Sequence, residues 1–152
     1  MHAGEEAQVD HLLRQAFPTA AEATLVQRLR KARVIAGETV LPMGDQIIGY
    51  YALSRMIKPK GWLCLAPVAI HPDQQRQGRG KRMIGVLGEW ARLTKTPVIV
   101  LGAPAFYGKS GFSTACAAQL NTPYSIENTS VAGLPKPAPA QDVIYPKPFD
   151  GT

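Results

Sequence analysis

The chain has 152 residues, 45% of them hydrophobic and 18% charged, which suits one globular domain with a core of its own. No stretch approaches the ~20 consecutive apolar residues of a membrane helix. The net charge of +6 and pI near 9.6 admit a polyanionic ligand, either a phosphate-bearing cofactor or nucleic acid. Two cysteines, Cys64 and Cys116, make neither a metal cluster nor a disulfide framework. The opening Met-His-Ala-Gly-Glu-Glu lacks the basic and apolar regions of a secretory signal, so the expected compartment is the cytoplasm.

In chain order, Val9, Leu12, Leu13, Ala16 and Phe17 recur at helical spacing over residues 5–17, and Pro18 ends that helix. A second helix is predicted from about Ala20 to Lys31, its apolar face made by Ala23, Leu25, Val26 and Leu29. The period then changes. Val34–Leu41 and Gln46–Ser54 read as a hairpin around Gly44-Asp45, and Trp62–Ile70 as a third strand after the turn Pro59-Lys60-Gly61. Met83, Ile84, Leu87 and Ala91 predict a helix to about Leu93. Val98–Leu101 is wholly apolar, as in a strand covered on both faces. Ala103–Phe112 reads as a short helix with Pro104 in its first turn. Tyr124–Asn128 and Gln141–Tyr145 are candidate strands, joined by a stiff proline-rich connector at 133–140. This order predicts one α/β domain over residues 1–152, with a mixed, mostly antiparallel sheet flanked by helices.

Between the third strand and the third helix lies His71-Pro-Asp-Gln-Gln-Arg-Gln-Gly-Arg-Gly-Lys-Arg82. A helix N-terminus offers unpaired N–H groups and about half a positive charge. Glycines let an anion approach the backbone, and Arg76, Arg79, Lys81 and Arg82 add charge. These features together describe a phosphate site. A Walker A loop would need glycine at Gln75 and Ser or Thr at Arg82; a dinucleotide fingerprint would need glycine at Met83. Neither holds. The pattern that fits is Gln75-x-x-Gly78-x-Gly80.

That pattern resembles the pyrophosphate loop of the GCN5-related N-acetyltransferases. A second motif of the family, Tyr-x-x-x-Gly-Phe, matches Tyr107-Gly-Lys-Ser-Gly-Phe112 in the expected order. Residues 101–112 and the early segments Leu12–Phe17 and Ala21–Arg30 are similar to the bacterial YhbS-like subgroup. The resemblance implies acetyl-coenzyme A as acetyl donor, no metal, and a sheet splayed at the cofactor. It implies that Val68, Ala69 and Ile70 line the pantetheine arm, with the Ile70 N–H as oxyanion donor. Arg76, Gln77, Gly78, Arg79, Gly80 and Lys81 are expected to wrap the pyrophosphate, and Phe106 and Tyr107 to complete the site. Tyr107 is the implied general acid, since a phenol pKa of about 10 is near that of a thiol.

The chain departs from the family in three places: the first strand is short or missing, Ala103 stands where many relatives carry an acidic residue, and the proline-rich connector at 133–140 falls within the last hairpin. The acceptor implied is a primary amine of a small molecule or peptide, with a homodimer through the late strands as a possible assembly. No base is assigned; His71, Glu22 and Glu38 are candidates whose alternative roles are a turn element, a solvated side chain and a structural one. Two other readings compete: a non-catalytic acyl-coenzyme A-binding domain, and a basic nucleic-acid-binding protein. Against the second, the basic residues gather at the glycine loop rather than alternate with aromatics.

Overall fold

The computed structural model describes residues 1–150. It opens with helices α1 (Glu6–Ala16) and α2 (Ala21–Lys31). No strand precedes α1 among the described residues. Three antiparallel strands follow, β1 (Ile35–Met43), β2 (Gln46–Arg55) and β3 (Leu63–Ile70), then α3 (Arg79–Thr94) and β4 (Val98–Leu101). The remainder is α4 (Pro104–Tyr107), a 3-10 turn at Gly108–Ser110, α5 (Thr114–Ala117), β5 (Leu120–Asn121), β6 (Thr129–Ala132) and β7 (Gln141–Asp142). The main sheet has the order β1-β2-β3-β4-β6, in which only β3 and β4 are parallel; β5 and β7 form a separate parallel pair. The expected mixed, mostly antiparallel α/β sheet is what the chain builds. No helix among the described residues is long and apolar enough to cross a membrane.

Strand alternation divides the core between the two faces of the sheet. Leu65, Val98, Val100 and Ala132 pack against Met83, Ile84, Leu87 and Ala91 of α3. Cys64, Ile99 and Val131 point the other way, toward Leu25 and Leu29 of α2 and toward Phe149. On that second face Tyr50, Ala52 and Ala69 meet Val9, Leu12 and Leu13 of α1. A polar tie fastens α2 to β1 and β2. The Arg30 guanidinium donates from Nε and Nη2 to Glu38 Oε1, at 3.0 and 2.7 Å, and the Tyr50 hydroxyl donates to the same oxygen at 2.5 Å. Burial, with Glu38 adding to it, raises the Tyr50 phenol well above its ordinary value. Glu38 is thus structural.

The late segment corrects the sequence reading. Tyr124–Asn128 is not a strand. The Ser125 carbonyl accepts from the Asn128 amide and from Thr129 Oγ1, while its hydroxyl bonds Glu127, and such local bonding of Ser and Asn competes with a sheet ladder. The strand begins after this turn, at Thr129. Within Gln141–Tyr145 only Gln141 and Asp142 pair as a strand, with an isolated bridge from Ile144 to Lys58. The helix expected over Ala103–Phe112 is a single α-turn that tightens into a 3-10 turn, then ends at Gly111 with φ 90°.

Candidate active site

The site begins where β3 and β4 separate. They pair only at Leu63–Val98, Cys64–Ile99 and Leu65–Val100. The next two residues, Ala66 and Pro67, stand opposite the single residue Ala52, a bulge in the β2–β3 ladder. Proline has no N–H to give, and a bulge bends its strand, so pairing with β4 stops here. β3 continues to Ile70 against β2 alone. The His71 amide donates to the Ile48 carbonyl at 2.7 Å, which sets the phase of the antiparallel ladder. His71 and Ala69 direct their main-chain groups at β2, whereas Val68 and Ile70 direct theirs into the gap. Ala69 is therefore placed differently from the expectation that it lines the cofactor: its amide faces β2 and its side chain is in the core beside α1. The Ile70 carbonyl accepts from Gln75 Nε2 at 3.0 Å, leaving the Val68 and Ile70 N–H groups facing the gap.

The line of free donors continues into the loop. Arg76 and Gly78 both have left-handed backbone, φ 64° and 76°, a conformation that glycine adopts without strain. The amides of residues 76–81 donate to no other described residue, and the first helical bond runs from the Arg82 amide to the Gly78 carbonyl at 3.0 Å. Among the described residues, none of Arg76, Arg79, Lys81 and Arg82 pairs with a carboxylate. Arg79 Nε is enclosed without a partner. Arg79, Arg82, Gln77 and Gly78 border a cleft of about 460 Å³ against Thr39 and Tyr51, so these residues open toward the β1 side of α3. Gly80 faces the other side. A Cβ there would stand 3.4 Å from Ile70 Cγ1 and 3.6 Å from Phe106 Cζ, which brings the end of β3, the start of α3 and α4 together.

Tyr107 closes this corner. Its ring meets Phe106 edge-on at 4.9 Å and Phe112 at 5.6 Å. It lies so close over Gly102, just past the end of β4, that a Cβ at Gly102 would stand 2.5 Å from the ring. Burial raises the phenol above its ordinary value. The hydroxyl makes no hydrogen bond to another described residue.

Residues 30–114 match the family described as acetyltransferase (GNAT) domain. The chain is also 32% identical over 113 residues to the uncharacterized N-acetyltransferase YhbS of Escherichia coli strain K12, covering 70% of this chain and 67% of that protein. The chain belongs to the GNAT acetyltransferase family. Among solved structures, the Escherichia coli YhbS complex with CoA is similar at a TM-score of 0.84 and 25% identity, covering 98% of this chain and 88% of that one. A GNAT family acetyltransferase from Brucella melitensis, in complex with acetyl-CoA, shares the fold at a TM-score of 0.81 and 23% identity, with 99% and 95% covered.

Two of the other polar candidates of this GNAT chain, His71 and Glu38, are engaged in hydrogen bonds of their own. His71 Nδ1 accepts from the Asp73 amide at 3.1 Å, so its proton is on Nε2 and the ring caps the turn into the loop. Glu22 lies in the first turn of α2. Cys64 is buried and its thiol is pushed up to about 12 by that burial, as befits a core residue. No group of three or more His, Cys, Asp or Glu stands together as a metal site among the described residues. Reading the residues alone misses two features: the bulge at Ala66-Pro67, whose only trace is a proline inside an apolar run, and the Gly102–Tyr107 contact, which joins residues of two elements.

Proposed function

We propose that the chain transfers an acetyl group from acetyl-coenzyme A to a primary amine, by direct attack within a ternary complex. One observation carries this reading. Unpaired backbone donors run from Val68 and Ile70 in the gap to residues 76–81 at the start of α3, and a run of N–H groups ending at a helix start is suited to an anionic acceptor. A pantetheine arm supplies amide acceptors, and a pyrophosphate supplies anionic oxygens where a helix start and four unpaired cations attract them. The site therefore fits the coenzyme held by the two structural relatives.

In the transfer, a C–N bond forms as the amine attacks the thioester carbonyl, and the C–S bond breaks. The Ile70 N–H is aimed into the gap to stabilise the developing oxyanion. Tyr107 donates its phenolic proton to the departing thiolate, and the amine loses its own to solvent. With reference pKa values, that donation is uphill by about one to two units, or ~2 kcal/mol. The phenolate then regains its proton from water. His71 takes no part as base while its Nδ1 holds the Asp73 amide.

The test is release of free coenzyme A, read with a thiol reagent, on mixing the protein with acetyl-coenzyme A and a panel of primary amines. Amine-dependent release is expected. Cofactor binding without release from any amine or peptide would leave a binding domain in place of an enzyme.

A further inference from the structure

Arg79, Arg82, Met83 and Val86 recur along α3 at spacings of three and four, so they share one side of the helix. Together they border the cleft of about 460 Å³ that opens toward β1. The facing wall is Thr39 and Leu41 of β1 with Tyr51 of β2, and Thr39 and Tyr51 are direct partners across the ladder. Going along the helix from Arg79, the cations come first and Val86 follows about 10 Å later. Val86 is apolar yet 67% exposed, and the same side continues past the cleft through the exposed Trp90 and Leu93.

No Asp or Glu lines this cleft. Arg79 Nε is enclosed without a partner, and neither arginine pairs with a carboxylate among the described residues. The Thr39 and Tyr51 hydroxyls bond to no other described residue. The cleft lies beside the cofactor corner without being part of it. A Cβ at Gly49 would stand 2.9 Å from Leu41 Cβ and 3.1 Å from Ile70 Cδ1, while a Cβ at Gly80 would stand 3.4 Å from Ile70 Cγ1. The Ile70 side chain is thus a wall between Leu41 and the start of α3. Lys81, two residues on from Arg79, does not line the cleft, since positions two apart on a helix do not face each other.

We infer that this cleft binds an anionic amphiphile, a carboxylate or phosphate monoester on an aliphatic chain. Its head lies on Arg79 and Arg82, and its chain runs over Leu41, Met83 and Val86 toward Trp90. The guanidiniums give the head charge-assisted bonds, which the two free hydroxyls supplement, and the apolar wall removes the chain from water. The volume is within the range of small-molecule sites. A neutral alcohol of the same length leaves the arginines without a partner, and a cationic amphiphile is repelled by them. This site goes beyond the acetyl-transfer reading and does not rest on it. The proposed coenzyme lies on the other side of Ile70, so the two ligands bind together.

The test titrates octanoate, octyl phosphate, octanol and octyltrimethylammonium into the protein, alone and saturated with coenzyme A, by calorimetry. The quaternary amine cannot serve as an acetyl acceptor. Octanoate and octyl phosphate are each expected to bind at least about tenfold more tightly than octanol, the tighter of the two identifying the head, and the quaternary amine not to bind. Hexanoate should bind about 15-fold more weakly than octanoate, since each buried methylene is worth about fourfold. Arg82→Gln should weaken the anions about tenfold and leave octanol unchanged. Val86→Glu, at an exposed position that the fold does not need, should weaken octanoate by a similar factor and leave coenzyme A binding as it was. Octanol binding as tightly as octanoate, displacement of octanoate by coenzyme A, or no heat at millimolar octanoate overturns the inference. So does capture by phosphatidylglycerol vesicles without binding of monomeric octanoate, which makes this face a membrane contact instead. Octanoate binding that depends on Arg82, in a protein that gives no heat with coenzyme A, supports the cleft and sinks the cofactor reading.

Discussion

Replacing Tyr107 by Phe is expected to lower kcat by about 10²- to 10⁴-fold, the span general acid catalysis supplies, or roughly 3–5 kcal/mol of barrier. The packing should survive, because the hydroxyl holds no other described residue while the ring contacts with Phe106 and Phe112 remain. KM for acetyl-coenzyme A should therefore change little, separating a catalytic loss from a binding loss. The pH profile gives a second readout. An acid must hold its proton, and burial raises the Tyr107 phenol. Wild-type activity should persist below about pH 10 and fall as the pH rises through the shifted value, whereas the Phe variant should lack that alkaline limb. Steady-state rates across pH decide this; an undiminished kcat in the Phe variant places the proton source elsewhere, in water. Gly102→Ala probes the same group without touching it, since the new Cβ would meet the ring at 2.5 Å and force it aside.

The second large effect is on stability. Gly88 lies on α3 where the helix packs against the 3-10 turn that carries Ser110, and a Cβ at Gly88 would stand 1.9 Å from the Ser110 carbonyl oxygen. The obstacle is backbone, so relief requires moving the whole turn that follows Tyr107. Gly88→Ala should cost about 3 kcal/mol, the upper end for overpacking, and lower Tm by about 6–12 °C for a chain of this size. Gly85 is on the same helix with nothing within 4 Å of its would-be Cβ. There Gly→Ala should be neutral or stabilising by up to ~1 kcal/mol, from helix propensity alone. Thermal unfolding of the pair measures the difference; equal Tm values would mean that α3 and the turn are not in close contact.

Much of this arrangement is legible in the residues. Val, Ile and Leu periodicity places both early helices, the hairpin, β3, α3 and β4 within a residue or two, because each buries a long apolar face. The loop from Gln75 to Gly80 is legible because its chemistry is local: glycine for left-handed backbone, free amides, basic side chains. What lies beyond Cys116 is not. β6 is Thr-Ser-Val-Ala, half of it polar in isolation, and it becomes a strand through pairing with β4. Tyr124–Asn128 carries β-forming side chains at Tyr124 and Ile126, yet Ser125 and Asn128 spend them on a turn. The rings of Tyr124, Tyr145 and Phe149 touch one another only once the late segment has folded back. The phase of β3 is a further case: that Ile70 and not Ala69 offers its amide to the gap depends on the ladder with β2, which no local pattern reveals.

The central claim is that the open end of β3 and the start of α3 together hold acetyl-coenzyme A. Calorimetric titration of acetyl-coenzyme A into the protein tests it most directly. Saturable binding at a single site, in the micromolar range and weakened by added salt as expected for a pyrophosphate on Arg76 and Lys81, is the predicted result. No heat of binding at millimolar ligand would contradict it.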